Sequence, residues 1–234
     1  MTAAIILAGG LGTRLRSVVP DLPKPMAPVA GRPFLEILLD YWIDQGVDRF
    51  VLSAGYRHDA ITGHFGKRYR NADLDYVIEQ TPLGTGGGLL LAAEKLDGDD
   101  YFLLLNGDTY FAVDLAALTQ FATGADADWC FGLFRANEAG RYMGMEVGAD
   151  GAIGALKSGT GEPGRLANGG VYLIRPRALA AWAYQAGQKV SLEDDILPSA
   201  KLAGQRLFGK ECTGNFIDIG VPHDYAFAST LLAK

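Results

Sequence analysis

The segment Leu7-Ala8-Gly9-Gly10-Leu11-Gly12-Thr13-Arg14-Leu15 packs three glycines into four residues and then sets down a fixed positive charge. Glycines so spaced let backbone N–H groups converge on an anion and let a ligand approach the main chain closely. Ten residues after Arg14, Lys24 adds a second cation between Pro23 and Pro25. A backbone nest with two cations is a place to hold phosphate. Two better-known phosphate loops do not match. No lysine follows Gly12 at the Gly-x-x-x-x-Gly-Lys-Ser/Thr spacing, and the third glycine of Gly-x-Gly-x-x-Gly falls on Leu15. A tight strand-to-helix turn that only needs flexible residues is the plain alternative.

Two carboxylates stand where a bound phosphate needs a counter-ion. Asp108, in Asn106-Gly107-Asp108, follows the apolar run Tyr101 to Leu105 and so lies just beyond a buried strand. There it can hold Mg2+ against phosphate oxygens, or cap a turn. Asp218 is embedded in Phe216-Ile217-Asp218-Ile219-Gly220, where an unpartnered charge is costly. A metal shared with Asp108, or an ion pair to Lys157, would partner it.

Three further segments offer binding chemistry. Glu79-Gln80-Thr81-Pro82-Leu83-Gly84-Thr85-Gly86-Gly87-Gly88 follows a predicted strand and opens a helix. Its glycines allow close approach of a flat ligand, with Glu79 or Gln80 at a base edge. A carboxylate suits guanine, whose N1–H and N2–H2 groups both donate; a long connection with a glycine helix start is the plain reading. Asn168-Gly169-Gly170, ahead of a strand Val171 to Ile174, can present amide and backbone groups to a polyol. Glu193, Asp194 and Asp195 follow Ser191 at a capping-box spacing, which suits a helix start, while one of the acids can face a sugar hydroxyl. The chain has no Ser-His-Asp order, no nucleophile elbow and no metal spacing among Cys130, Cys212 and its three histidines.

The elements that must position these residues alternate. Strands are predicted at about 3–8, 48–54, 74–78, 100–105 and 128–134, and helices near 33–45, 57–66, 86–97 and 114–123. Phe34, Ile37, Leu38, Tyr41 and Trp42 recur at the spacing of a helix packed on a sheet. This pattern predicts a three-layer α/β fold, a mixed and mostly parallel sheet with helices on both faces, whose ligands bind beyond the carboxyl ends of the strands. The second half predicts short strands at 143–148, 152–157, 169–174 and 206–210, and helices near 176–186, 191–203 and 222–232, in a partly antiparallel arrangement. With 234 residues, 49% of them hydrophobic, a single domain is expected. A net charge of −6 excludes a general nucleic-acid binder and requires local cations for an anionic substrate. The N-terminus has no basic stretch before its apolar run, and no run approaches the ~18 apolar residues of a membrane span, so a cytoplasmic protein is expected.

Taken in order, the glycine loop, Pro23-Lys24-Pro25-Met26, Pro82-Leu83-Gly84-Thr85-Gly86-Gly87, Asn106-Gly107-Asp108 and Phe216-Ile217-Asp218-Ile219-Gly220 resemble the sugar-1-phosphate nucleotidyltransferases, from residue 4 to about 226. Asp108-Thr109 through Phe111 to Asp114-Leu115, Arg141-Tyr142, and Asp218 through Pro222 with Asp224-Tyr225 resemble the D-glycero-α-D-manno-heptose 1-phosphate guanylyltransferase branch. The resemblance implies a Rossmann-like fold of the nucleotide-diphospho-sugar transferase type, with a nucleotide-binding half at about 1–125 and a sugar-binding half at about 126–234. It implies that Leu7, Ala8, Gly9, Gly10, Gly12, Thr13 and Arg14 hold the triphosphate of GTP, and that Lys24 neutralises charge near the α-phosphate. Arg14, Lys24 and Asp108 are then catalytic, Asp108 and Asp218 bind Mg2+, and Glu79, Pro82, Gly84 and Thr85 line the nucleobase site.

On the same resemblance Asn106, Gly107, Lys157, Asn168, Gly169 and Glu193 meet the sugar 1-phosphate. Leu156 stands where the family commonly has a glutamate before this lysine, a departure at the sugar contacts. The expected reaction joins GTP and a heptose 1-phosphate into GDP-heptose and pyrophosphate. A mannose-1-phosphate guanylyltransferase, an amino-sugar uridylyltransferase, a catalytically silent regulatory subunit and a glycosyltransferase are the alternatives. Nucleic-acid and membrane partners are not expected, and a homo-oligomer is open.

Overall fold

A computed structural model describes residues 2–10, 12–96, 98, 101–157, 162–180 and 184–233. Leu11 of the glycine loop, the last residue of the helix expected at 86–97, and 181–183 within the helix expected at 176–186 lie outside the described residues. In chain order the first half comprises β1 (Thr2–Ala8), a hairpin of β2 (Pro28–Val29) and β3 (Arg32–Pro33), α1 (Phe34–Asp44), β4 (Val47–Ala54), α2 (His58–Phe65), β5 (Arg68–Tyr69), β6 (Ala72–Ile78), α3 (Gly84–Ala93), β7 (Phe102–Asn106), β8 (Thr109–Phe111) and α4 (Leu115–Gly124). The second half comprises β9 (Trp129–Arg135), β10 (Gly144–Val147), β11 (Ile153–Lys157), β12 (Leu166–Ile174), α5 (Arg177–Ala180), a π-helical turn at Leu192–Ile196, α6 (Leu197–Leu202), β13 (Leu207–Glu211), β14 (Phe216–Asp218) and α7 (Pro222–Leu232).

The main sheet runs in the order β11-β10-β12-β7-β1-β4-β6-β5, with β9 alongside β12 and β13 alongside β9. Its centre, β7-β1-β4-β6, is parallel, and β12 joins antiparallel to both β7 and β9. The expected change of character in the second half is therefore present. Side chains alternate across the sheet with period two, as strand geometry demands. Leu103 and Leu105 pack under α1, α2 and α4, while Phe102 and Leu104 pack under α3, α5, α6 and the π turn. Phe34, Leu38 and Trp42 of α1 are fully buried, and Leu35 and Leu39 widen the expected stripe, leaving Ile37 and Tyr41 partly buried. A third, smaller cluster joins Phe34, Tyr110, Ile217, Ile219 and Ala228, so α7 and the last strand are packed against β8.

Several expected elements shift. The strand expected at 169–174 begins at Leu166, because Gly169 and Gly170 form a bulge within β12 and do not precede it. The helix expected at 191–203 is a π turn capped by Ser191 Oγ, which accepts from the Asp194 N–H at 3.0 Å, followed by α6. The helix expected at 176–186 is described only as Arg177–Ala180. No strand was expected at 109–111 or 216–218, yet β8 and β14 pair there, with Thr109 opposite Asp218. Three residues each are too short to show a periodicity of their own.

Candidate active site

At the carboxyl ends of β1, β6 and β7 lies a cavity of about 310 Å3. Leu7, Ala8, Gly9 and Gly10 form its floor, and Glu79, Pro82, Gly84 and Thr85 form one wall. Asn106, Gly107 and Asp108, with Lys24 and Pro25, form the other. The Gly107 N–H donates to the Leu7 carbonyl at 3.0 Å, and a Cβ there would come within 2.6 Å of that oxygen. The structure thus brings the floor, the segment from Glu79 to Thr85 and Asn106 to Asp108 to one opening. Gly12, at φ +60°, turns the chain so that Lys24 passes beside it. Buried Leu15 anchors the turn that follows, and Thr13 and Arg14 stand exposed on it, outside the cavity lining.

Glu79 is held on several sides. Its N–H donates to the Ala54 carbonyl at 2.8 Å, continuing the β4–β6 ladder. Ser53 Oγ donates to Glu79 Oε1 at 2.9 Å, and the Leu83 N–H donates to Oε2 at 3.0 Å. Both oxygens keep further acceptor capacity. A Cβ on Gly9 would fall 2.2 Å from Oε1, so only glycine leaves room for this carboxylate. Gln80 is exposed and lines a second cavity of about 310 Å3 with Tyr56 and His58; Gly9, Glu79 and Pro82 divide it from the first.

The glycines of α3 do something other than expected. Gly86 and Gly87 donate their N–H groups to the Val190 carbonyl at 2.9 and 3.1 Å, and a Cβ on Gly87 would meet the Gln188 carbonyl at 2.4 Å. They admit the chain's own backbone, not a flat ligand. Gly88 instead faces Ser53 and Glu79. Thr85 ties the same seam: its Oγ1 donates to Glu193 Oε2 at 2.6 Å and accepts from the Leu192 N–H at 2.9 Å.

At the opposite wall Lys24 Nζ donates to Asp108 Oδ2 at 2.5 Å. Pairing of β8 with β14 carries Asp218 to the same place, and the Ile219 N–H donates to the Asp108 carbonyl at 2.9 Å. Asp218 Oδ1 accepts from the Gly220 N–H at 2.6 Å. A Cβ on Gly220 would lie 2.7 Å from that oxygen and 3.2 Å from Lys24 Nζ. Burial, then the nearby charge of Asp108, pushes the Asp218 carboxyl up, against the pull of the Gly220 N–H, Lys24 and Arg141. Two carboxylates crowded this way are the hard-oxygen donor set that a divalent cation relieves. Among the described residues no group of three or more acidic, histidine or cysteine ligands assembles, so a cation held by these two carboxylates would need its other positions filled by water or substrate oxygens.

The alternative ion-pair partner expected for Asp218, Lys157, lies on β11 opposite Gly144, and its side chain is outside the described residues. Arg141 takes part of that role. Its guanidinium donates to the Asp218 carbonyl and Oδ2 at 3.2 and 3.3 Å, reaches Asp224 Oδ2 on α7 at 2.5 Å, and lies over the Tyr142 ring. Its side chain is only 12% exposed.

Of the residues expected at the sugar, Asn168 and Glu193 approach Tyr172. Asn168 Nδ2 donates to the buried Tyr172 hydroxyl at 2.7 Å, and burial, with the charge of Glu193 adding to it, pushes that phenol far up. Gly169 packs on Phe111, and Gly170, at φ +70°, packs on Asn106. Asn106 Oδ1 is buried without a hydrogen-bond partner. Sequence reasoning missed Ser53 and Arg141 as site residues. Ser53 had a signal, a lone hydroxyl in the apolar run Phe50-Val51-Leu52-Ser53-Ala54. Arg141 had one too, its place in the Arg141-Tyr142 pair that carries the resemblance, but only folding brings it to Asp218.

No described helix is long and apolar enough to cross a membrane. Residues 3–234 match the family model described as nucleotidyl transferase. The D-glycero-alpha-D-manno-heptose 1-phosphate guanylyltransferase of Aneurinibacillus thermoaerophilus is 40% identical over 223 residues, 95% of this chain and 94% of that protein. The enzyme of the same name from Campylobacter jejuni is 35% identical over 224 residues, 95% of this chain and 96% of that protein. The crystal structure of HddC from Yersinia pseudotuberculosis complexed with GMP-PN superimposes with a TM-score of 0.85 at 33% identity, covering 99% of each chain.

Proposed function

The chain belongs to the nucleotidyl transferase family, and from that premise we propose that it transfers GMP from GTP to D-glycero-α-D-manno-heptose 1-phosphate, giving GDP-heptose and pyrophosphate. One observation carries the reading: a single cavity, floored by glycine backbone, has the Glu79 carboxylate in one wall and Lys24 bonded to Asp108 in the other. The first suits a base edge that only donates, and the second suits a reacting phosphate. The two heptose 1-phosphate guanylyltransferases of similar length and the relative crystallised with GMP-PN support the choice of guanine and of the sugar.

In this reading the attacking group is an oxygen of the sugar phosphate. It is already anionic, so no protein base and no covalent intermediate is needed. The protein aligns that oxygen with the α-phosphorus for in-line displacement of pyrophosphate and cancels the repulsion between two anions. Backbone N–H groups of Gly9, Gly10 and Gly12 cradle the phosphates, Lys24 neutralises charge at the α-phosphate, and exposed Arg14 meets the outer phosphates. Asp108 and Asp218 would hold a divalent cation, which we assign as Mg2+ and which would supply charge neutralisation at the phosphate oxygens. Asn106, Gly107, Asn168, Gly169 and Glu193 face the sugar, with Lys157 on its phosphate. Residues 1–125 supply most of the nucleotide side, while 126–234 supply most of the sugar side and return Asp218 to the reacting centre. The need for GTP suits a cytoplasmic enzyme.

A panel of four nucleoside triphosphates against several sugar 1-phosphates, read as Mg2+-dependent pyrophosphate release, tests this. The expected result is a strong preference for GTP with the heptose 1-phosphate. Preference for UTP would overturn the guanine assignment, and preference for mannose 1-phosphate the sugar assignment. No release with any pair would sink the reaction itself.

A further inference from the structure

We propose that Ser53, which lies outside the lining of the cavity, sets base selectivity by fixing the rotation of the Glu79 carboxylate. This inference rests on the reading of Glu79 as the residue that meets guanine. Ser53 is fully buried near the end of β4, a strand paired on both sides, with Leu7 of β1 and Val77 of β6 as its neighbours. A hydroxyl at such a position costs stability unless it is bonded, and alanine would fill the place at no such cost. Its bond goes to Glu79 Oε1 at 2.9 Å. That bond runs through a slot cleared by two glycines: a Cβ on Gly9 would overlap Oε1 at 2.2 Å, and one on Gly88 would crowd Ser53 Oγ at 3.0 Å and Oε1 at 3.1 Å.

The terminal torsion of a glutamate is broad and roughly two-fold, so a carboxylate without fixed donors turns freely. Guanine offers N1–H and N2–H2 side by side, and accepting from both needs the two oxygens in the plane of the base. The other donor to Glu79, the Leu83 N–H, belongs to the connecting loop after β6 and not to the sheet. Ser53 sits in the rigid sheet and is the fixed reference. Hypoxanthine keeps N1–H and lacks the amine, so the preference for GTP over ITP reads the second contact alone.

The experiment measures kcat/KM for GTP and ITP by pyrophosphate release in the wild type, Glu79→Gln, Ser53→Ala and Ser53→Cys. The wild type is expected to prefer GTP by roughly tenfold or more, the value of one hydrogen bond to a charged group. Glu79→Gln should abolish the preference. Ser53→Ala should lower it by roughly three- to tenfold, through the KM for GTP, with the KM for sugar phosphate and the melting temperature unchanged. Ser53→Cys fills the place with a weak donor and should follow alanine. If Glu79→Gln loses the preference while Ser53→Ala keeps it, this inference is overturned and the role of Glu79 stands. A preference absent from the wild type, or surviving Glu79→Gln, overturns both. If cysteine keeps the preference that alanine loses, packing and not the hydrogen bond sets it, and the inference fails.

Discussion

At the base wall, the groups that hold Glu79 come from β4 and from the loop that Glu79 itself opens, in space that Gly9 leaves free. At the opposite wall, Asp108 and Asp218 come from distant parts of the chain and meet only because β14 lies down on β8. The base wall is therefore assembled by the parallel centre of the sheet, whose strand ends all point to one edge. The charged wall is assembled by the last segment of the chain, held by Ile217 and Ile219 in the small apolar cluster and by the Arg141–Asp224 pair to α7. The difference teaches that binding and reaction geometry have separate structural supports. Damage to one wall should leave the other working.

The largest effect expected is at the charged wall. Asp108→Ala or Lys24→Ala should lower kcat roughly a hundredfold, about 3 kcal/mol of transition-state stabilisation, with GTP binding by titration calorimetry weakened far less. Near wild-type turnover in both variants would remove the proposed mechanism and the comparison with it. Next, Arg141→Met leaves Asp218, Asp224 and Glu138 crowded without their guanidinium. Urea unfolding should show a loss of about 2 kcal/mol, below the value for a fully buried pair because these acids are partly exposed. Unchanged stability would mean that apolar packing alone seats the last segment. The smallest effect is at the base wall. Gly9→Ala should raise the KM for GTP roughly tenfold by driving a carboxylate that accepts charge-assisted hydrogen bonds out of line, while the KM for the sugar phosphate stays put. A shift in both constants would show that the two walls are coupled.

Much of the cavity was legible beforehand. The apolar run into Gly9-Gly10, the acid at Glu79 and the strand before Asn106 all follow from local pattern, and the structure brings these residues to one opening. Two things there were not legible. Gly86 and Gly87 read as room for a ligand, but they make room for Val190 and Gln188. A glycine states that something comes close and not what does. Arg14 was expected at the far end of the nest, and local pattern did not show that the turn leaves it exposed outside the lining, with Leu15 and not Arg14 turned inward. On the sugar side, Asn168 appeared to precede a strand and instead lies in a bulge of β12, from which its amide meets Tyr172.

By itself the sequence determined the alternation of strand and helix, the parallel centre with its switch to antiparallel pairing, and the chemical types at the site, because each rests on periodicity or spacing over a few neighbouring residues. Only the tertiary structure decided that Asp218 joins Asp108 and Lys24, that Arg141 braces Asp218, and that Ser53 holds Glu79. Those meetings depend on where separate elements come to rest against one another. Such contacts are set by the burial of Ile217, Ile219 and the two main cores, and no local pattern in the chain encodes the distance between two side chains that packing alone brings together.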